Sequence, residues 1–220
     1  MPQTWDPSSP TPEDALRRLV DGNHRFRTRT GRMADRPWAE QLATEPQHPF
    51  AIVLGCSDSR TPVEILFDVG FGELFVVRIA GNIVAPSGVG SIEFAASQFG
   101  TRLVVVMGHT RCGAVEATVR ALQTGMDHES KNIRAITDRI APHVAALVRP
   151  GAPGTPADAA AILRDAIRAN VRASADHLRH GSRLLEELVL TGRLAVVGAE
   201  YELETGAVHF FEGAPEAPGA

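Results

Sequence analysis

The stretch Phe50-Ala51-Ile52-Val53-Leu54-Gly55-Cys56-Ser57-Asp58-Ser59-Arg60 joins an unbroken apolar run to a glycine and then, without a gap, to a thiol, an acid and a base. A short apolar run bounded by such a break predicts a strand of a parallel sheet, buried on both faces. Leu103-Val104-Val105-Val106-Met107-Gly108-His109-Thr110-Arg111-Cys112 repeats the arrangement, with Gly108 again separating the apolar run from a side chain capable of chemistry. Two strands that end alike put Cys56 and His109 at carboxyl ends, where open α/β sheets build their sites.

These segments hold both cysteines of the chain and one of its eight histidines. Two thiolates and an imidazole suit Zn²⁺, which takes sulfur at about 2.3 Å and imidazole nitrogen at about 2.0–2.1 Å. With only Cys56, His109 and Cys112 on the metal, a fourth position is left for water or substrate, as in catalytic rather than structural zinc sites. No further cysteine exists to close the site. Gly113-Ala114-Val115-Glu116-Ala117 begins a helical pattern, so backbone N–H groups near Gly113 are expected to face an anion on the metal. Blander readings stand beside this one: free cysteines are often small buried hydrophobes, and two of them at strand ends can form a redox disulfide where the compartment permits.

Cys56-x-Asp58-x-Arg60 and His109-x-x-Cys112 resemble the two motifs of the β-class carbonic anhydrases. The resemblance runs from about Ala15 to about Phe211 and takes in Phe75-Val76-Val77-Arg78-x-Ala80-Gly81-Asn82 and Gly90-Ser91-Ile92-Glu93. It implies one Zn²⁺ per chain and reversible hydration of CO₂ to bicarbonate and a proton, by attack of zinc-bound hydroxide formed because the metal lowers the pKa of its bound water toward 7. It also implies that Asp58 accepts a hydrogen bond from that hydroxide and is itself held by Arg60, or that Asp58 swings onto zinc as a fourth ligand in a closed state. Gln47, Phe75 and Phe94 match the CO₂ pocket of the plant-like subgroup, where some pocket residues come from a dimer partner; the third is usually Tyr, and Phe94 lacks its hydroxyl. The allosteric subgroup binds bicarbonate through Trp, Arg and Tyr at positions held here by Val53, Arg78 and Tyr201. Val53 breaks that set, so a non-allosteric enzyme is expected, with Arg78 serving an internal ion pair or a subunit interface. A homodimer or homotetramer is implied.

Two other functions share these residues. The same zinc site would serve a hydrolase of carbon disulfide or carbonyl sulfide, and a non-catalytic zinc or redox module would need no Asp58–Arg60 pair.

At 220 residues and 44% apolar, the chain suits one α/β core spanning residues 1–220, with 1–10 and 213–220 expected to be flexible. The net charge of −4, with acids interspersed among the arginines, offers no basic stripe for nucleic acid. No apolar run approaches the roughly 18–20 residues of a membrane span, and Met1-Pro2-Gln3-Thr4-Trp5-Asp6 lacks the features of a leader, so a cytoplasmic protein is expected.

In chain order, Thr11-Pro12-Glu13-Asp14 caps and opens an N-terminal helical arm with Leu16, Leu19, Val20 and Phe26 on its apolar face, packing on a neighbouring subunit or on its own domain. A short helix is expected over 38–43, another over 61–67, a strand over 74–79, a glycine-containing loop over 87–90 leading into a helix over 91–99, and helices over 132–148, 157–179 and 182–190. Arg149 to Pro156 reads as a linker. Arg193 to Glu202 and Ala207 to Phe211 predict a terminal strand pair about Glu204-Thr205-Gly206. His24 and His48 read as surface residues, and so do His177 and His180, on a polar stretch that offers no nearby acid. The result is a central, mostly parallel sheet flanked by helices.

Overall fold

The computed structural model describes residues 9–31, 39–44, 46–126, 130–148 and 156–214. Its centre is a sheet of five strands: β1 (Ala51–Gly55), β2 (Leu74–Arg78), β3 (Leu103–His109), β4 (Ala195–Tyr201) and β5 (Val208–Glu212), in the spatial order β2-β1-β3-β4-β5. The first four pair in parallel and β5 closes the edge antiparallel to β4. Helices alternate with the parallel strands because parallel neighbours need long crossovers. They are α1 (Pro12–Thr28), α2 (Ala39–Thr44), α3 (Val63–Leu66), α4 (Pro86–Gln98), α5 (Gly113–Thr124), α6 (Lys131–Val144), α7 (Pro156–His180) and α8 (Arg183–Leu190).

Alternation along each strand sends side chains to opposite faces. Val53, Val105, Met107 and Val197 pack with Ala15 and Leu19 of α1 and Leu66 of α3 on one side. Ile52, Leu54, Val104 and Val106 pack with Ile92 of α4, Val171 and Leu178 of α7 and Leu185 of α8 on the other. β1 and β3, solvent-free on both faces, are apolar without interruption for this reason. From β1 the chain steps outward to β2 and then returns past β1 to β3. Connections leaving these neighbours in opposite directions open a crevice at the carboxyl ends of β1 and β3, the place where such sheets bind ligands.

Several local expectations change. The arm helix buries Ala15, Leu19, Gly22 and Asn23, while Val20 is 47% exposed. It packs on its own sheet: Asn23 donates to the carbonyls of Leu66 and Gly206 and accepts from Val208 N. Gly22 is required there, since a β-carbon would stand 1.9 Å from the Phe67 carbonyl oxygen. The loop expected over 87–90 is the first turns of α4, because Pro86 starts the helix at its first position and the bare Gly88 lets it press on Ile79 and Val77. The helix expected to run to 148 leaves α-geometry at Val144, two residues after Pro142, and ends in a 3₁₀ turn. His180 has acids after all, Asp176 at 3.5 Å and Glu186 at 3.6 Å, yet both imidazole and acids are exposed. Trp38, the linker over 149–155 and residues 1–8 and 215–220 lie outside the described residues. Within them, Gly213 already presses on Arg179 and the Val196 carbonyl. No helix among the described residues is long and apolar enough to cross a membrane.

Candidate metal centre

Cys56 is the first residue beyond β1, and His109 the last of β3. Cys112 stands immediately before α5. The Sγ atoms of the two cysteines and a ring nitrogen of His109 all lie within 4.8 Å of one another, the only such trio of His, Cys, Asp or Glu among the described residues. All three are buried, His109 and Cys112 to 1% exposure.

The imidazole is held for one purpose. Its Nδ1 lies 3.0 Å from the Thr110 carbonyl, which can only accept, so Nδ1 carries the proton and Nε2 presents a lone pair. That Nε2 is buried without a hydrogen-bond partner. Leaving such an atom unsatisfied costs about 1–3 kcal/mol, and a cation seated among Nε2 and the two sulfurs offsets it. The donor set of one neutral imidazole and two thiols thus fits Zn²⁺.

The sulfurs are already poised as a pair. Cys56 is pulled down to about 4, chiefly by the hydrogen bond from Cys112, against the opposing effect of burial. Cys112 is pushed up, by that same bond and then by burial. One interaction between the two sulfurs thus pulls the two thiols in opposite directions. The Gly81 N–H donates to Cys56 Sγ at 3.3 Å.

Asp58 and Arg60 form the rim. Arg60 Nε donates to Asp58 Oδ1 at 2.9 Å and Nη2 to Oδ2 at 2.7 Å, the parallel fork that fixes a carboxylate plane. The Arg60 backbone N–H adds a third bond to Oδ1 at 2.9 Å. The Arg60 side-chain bond is the main reason Asp58 sits well below the ordinary carboxylate range. Asp58 Oδ2 ends 3.9 Å from His109 Nε2, so the acid overlooks the space where the ligand atoms converge.

Arg78, expected in an internal ion pair or at a subunit interface, clamps the ligand loop within the chain through carbonyls. Its Nε donates to the Cys56 carbonyl at 3.0 Å and its Nη2 to the Asp58 carbonyl at 2.6 Å. Register explains the reach: Arg78 is the β2 partner of Gly55, one residue before Cys56. Thr61 supports the same turn through the Asp58 carbonyl at 2.9 Å. The His109–Cys112 loop is tied to β4, with Thr110 N donating to Tyr201 O at 2.9 Å and Thr110 Oγ1 accepting from Leu203 N at 3.0 Å. Between its two ligands Arg111 takes a left-handed conformation, φ +60°.

The carbonic anhydrase family model matches residues 51–208. A protein of Mycolicibacterium smegmatis described as a carbonic anhydrase is 36% identical over 205 residues, covering 90% of this chain and 92% of its own. One from Pseudomonas aeruginosa, described likewise, is 34% identical over 215 residues, covering 90% and 89%. The chain belongs to the β-class carbonic anhydrase family. Among solved structures, one of two tetrameric β-carbonic anhydrases from Sordaria macrospora shares the fold with a TM-score of 0.67 at 19% identity, covering 89% of this chain and 96% of that one.

For this carbonic anhydrase, the sequence-predicted residues fall into two groups. Cys56, Asp58, Arg60, His109 and Cys112 come together, with Gly113 exposed beside them at the first turn of α5. The three expected pocket residues do not join them. Gln47 is exposed ahead of β1, at the end of the strand opposite Cys56. Phe75 lies three residues before Arg78, about 10 Å back along β2, and joins Phe94 and Phe99 in an aromatic group with ring centroids 5.6–6.5 Å apart. Phe94 is 52% exposed.

Proposed function

We propose that this chain catalyses the reversible hydration of CO₂ to bicarbonate and a proton, with one Zn²⁺ held by Cys56, His109 and Cys112. The buried, unpartnered Nε2 of His109 facing two sulfurs carries this reading. The metal supplies hydroxide at neutral pH. The residues supply the rest. Cys56 and Cys112 would give the ion two anionic donors beside the His109 imidazole, and hydrogen bonds from the surroundings would tune the charge they donate. Asp58 would offer an acceptor of fixed orientation beside the space where the ligand atoms converge, and the Arg60 fork would hold it in that orientation. Arg78 positions the loop through two carbonyls.

The substrate pocket is completed by a second copy in a homodimer or homotetramer, which brings Gln47, Phe75 and Phe94 of one chain toward the centre of another. Their separation from the trio within one chain supports this, as does the description of the Sordaria macrospora structures as tetrameric. The enzyme belongs with the plant-like, non-allosteric subgroup: Val53 is wholly buried in the core, and Arg78 is committed to the ligand loop. The chain works as one domain in the cytoplasm, where its two unbridged cysteines stay reduced.

The test is metal removal and return. A chelator strips hydration activity and exposes two titratable thiols per chain, and one equivalent of Zn²⁺ restores the first and masks the second. Restoration of hydration with both thiols still free would refute the ligand assignment.

A further inference from the structure

The hydrogen bond from Gly81 to Cys56 is built from an unusual piece of chain. Gly81 and Asn82 both have positive φ, +69° and +44°, inside a single 3₁₀ turn. Gly81 is held to glycine by its surroundings as well, since a β-carbon would stand 2.9 Å from Ile140 Cδ1 and 3.1 Å from Ala114 Cβ. Left-handed backbone at two successive residues, one of them not glycine, is disfavoured and persists only where neighbours determine it. One side of the turn is fixed by its own strand, through Asn82 N to Ile79 O at 2.8 Å. The other side is fixed from a distant helix: Asn170 of α7 donates its Nδ2–H to the Gly81 carbonyl at 2.7 Å.

Asn170 is 1% exposed on a helix whose neighbouring inward residues, Ala166, Ile167, Val171 and Ala175, are apolar. A primary amide at such a position is costly unless its bonds are made. Its one recorded side-chain bond ends on the peptide that follows the Gly81 N–H by one residue. With the carbonyl of Gly81 pinned, rotation about that residue is blocked and its N–H stays on the sulfur.

We propose that Asn170 is a positioning residue for the metal centre, holding the Gly81 peptide so that its N–H draws charge from the Cys56 sulfur. An N–H on a metal thiolate lowers the electron density that the sulfur donates, and partners one step removed from the metal typically set its affinity by roughly 10–100-fold. Asn170 touches neither metal nor substrate. The inference rests on Cys56 being a ligand.

Cobalt(II) substitution tests it without relying on turnover, because thiolate-to-cobalt charge transfer reports on the sulfur directly. Asn170→Ala and Asn170→Leu, which is of similar size and has no donor, are compared with Ser174→Ala, one turn further along the same helix. Expected are a charge-transfer band displaced to lower energy in both Asn170 variants and zinc affinity shifted by about tenfold or more in chelator competition, with neither changed in Ser174→Ala. If Asn170→Ala does not fold, Asn170→Leu decides. A band and an affinity matching wild type in a folded Asn170 variant overturn the proposal. A wild-type cobalt protein with no thiolate band overturns the ligand assignment beneath it, which separates the two failures.

Discussion

The carboxyl ends of β1 and β3 and the edge formed by β2 and α4 are built on opposite terms. At the first, the polar groups of the ligand loop are held in place. Three bonds reach Asp58 from Arg60, two carbonyls of the ligand loop are taken by Arg78, and the His109 nitrogen, which a metal would complete, is buried without a partner, as is Asn82 Nδ2 nearby. At the second, Phe94 and Phe71 stand 52% and 60% exposed, with Phe75 and Phe99 half-buried beside Phe94. The first region assembles its candidate ligands and their supports within one chain. The second is unfinished, and the molecule's chemistry is expected to need it covered.

The sharpest way to break this comparison is to remove a ligand. Cys56→Ser, His109→Ala or Cys112→Ser should each abolish stoichiometric zinc and lower hydration by on the order of 10³-fold or more, since the ion supplies several kcal/mol of charge stabilisation; metal analysis with stopped-flow hydration reads both. Zinc loading should also report the opposed thiols. With the Cys56 thiol pulled down and the Cys112 thiol pushed up, binding at about pH 7 should release fewer protons than two ordinary thiols would, measurable by calorimetry in buffers of different ionisation enthalpy.

A smaller effect belongs to the rim. Arg60→Ala should keep zinc and fold but lower hydration by about 10–100-fold, and the Asp58 carboxyl, now released, should titrate closer to its ordinary value near 3.9. The sign follows from the depressed native pKa. Asp58 contributes stability that is present above the unfolded value and lost as pH falls through the folded one, so the wild-type advantage over Arg60→Ala should shrink in acid. Unfolding measured at neutral pH and near pH 3 on both proteins checks this. At the unfinished edge the expected change is least for the isolated chain. Phe94→Ser, which loses two half-exposed ring contacts, should lower unfolding stability by about 1–2 kcal/mol while weakening self-association and hydration together, seen by sedimentation alongside activity.

What the sequence could disclose follows the same division. Apolar runs ended by glycine revealed the parallel strands and the positions of Cys56 and His109, because a strand buried on both faces writes itself as an uninterrupted run. The Cys56-x-Asp58-x-Arg60 spacing made the fork readable, as both partners lie in one turn. The start of α4 was obscured by Gly88 and Gly90, whose low helix propensity is overridden by Pro86 and by close packing on β2. Arg78 and Asn170 left no local signal. Their bonds to the ligand loop and to Gly81 span 22 and 89 residues, and only the register of β2 against β1 and the docking of α7 bring them there.

The measurement that bears most directly on the function is stopped-flow CO₂ hydration by zinc-loaded wild-type protein from neutral to mildly alkaline pH, beside Cys56→Ser. Hydration that rises with pH, follows bound zinc one to one and vanishes in the variant is the expected result. One zinc per chain with no hydration anywhere in that range would contradict it and turn attention to carbon disulfide and carbonyl sulfide as substrates.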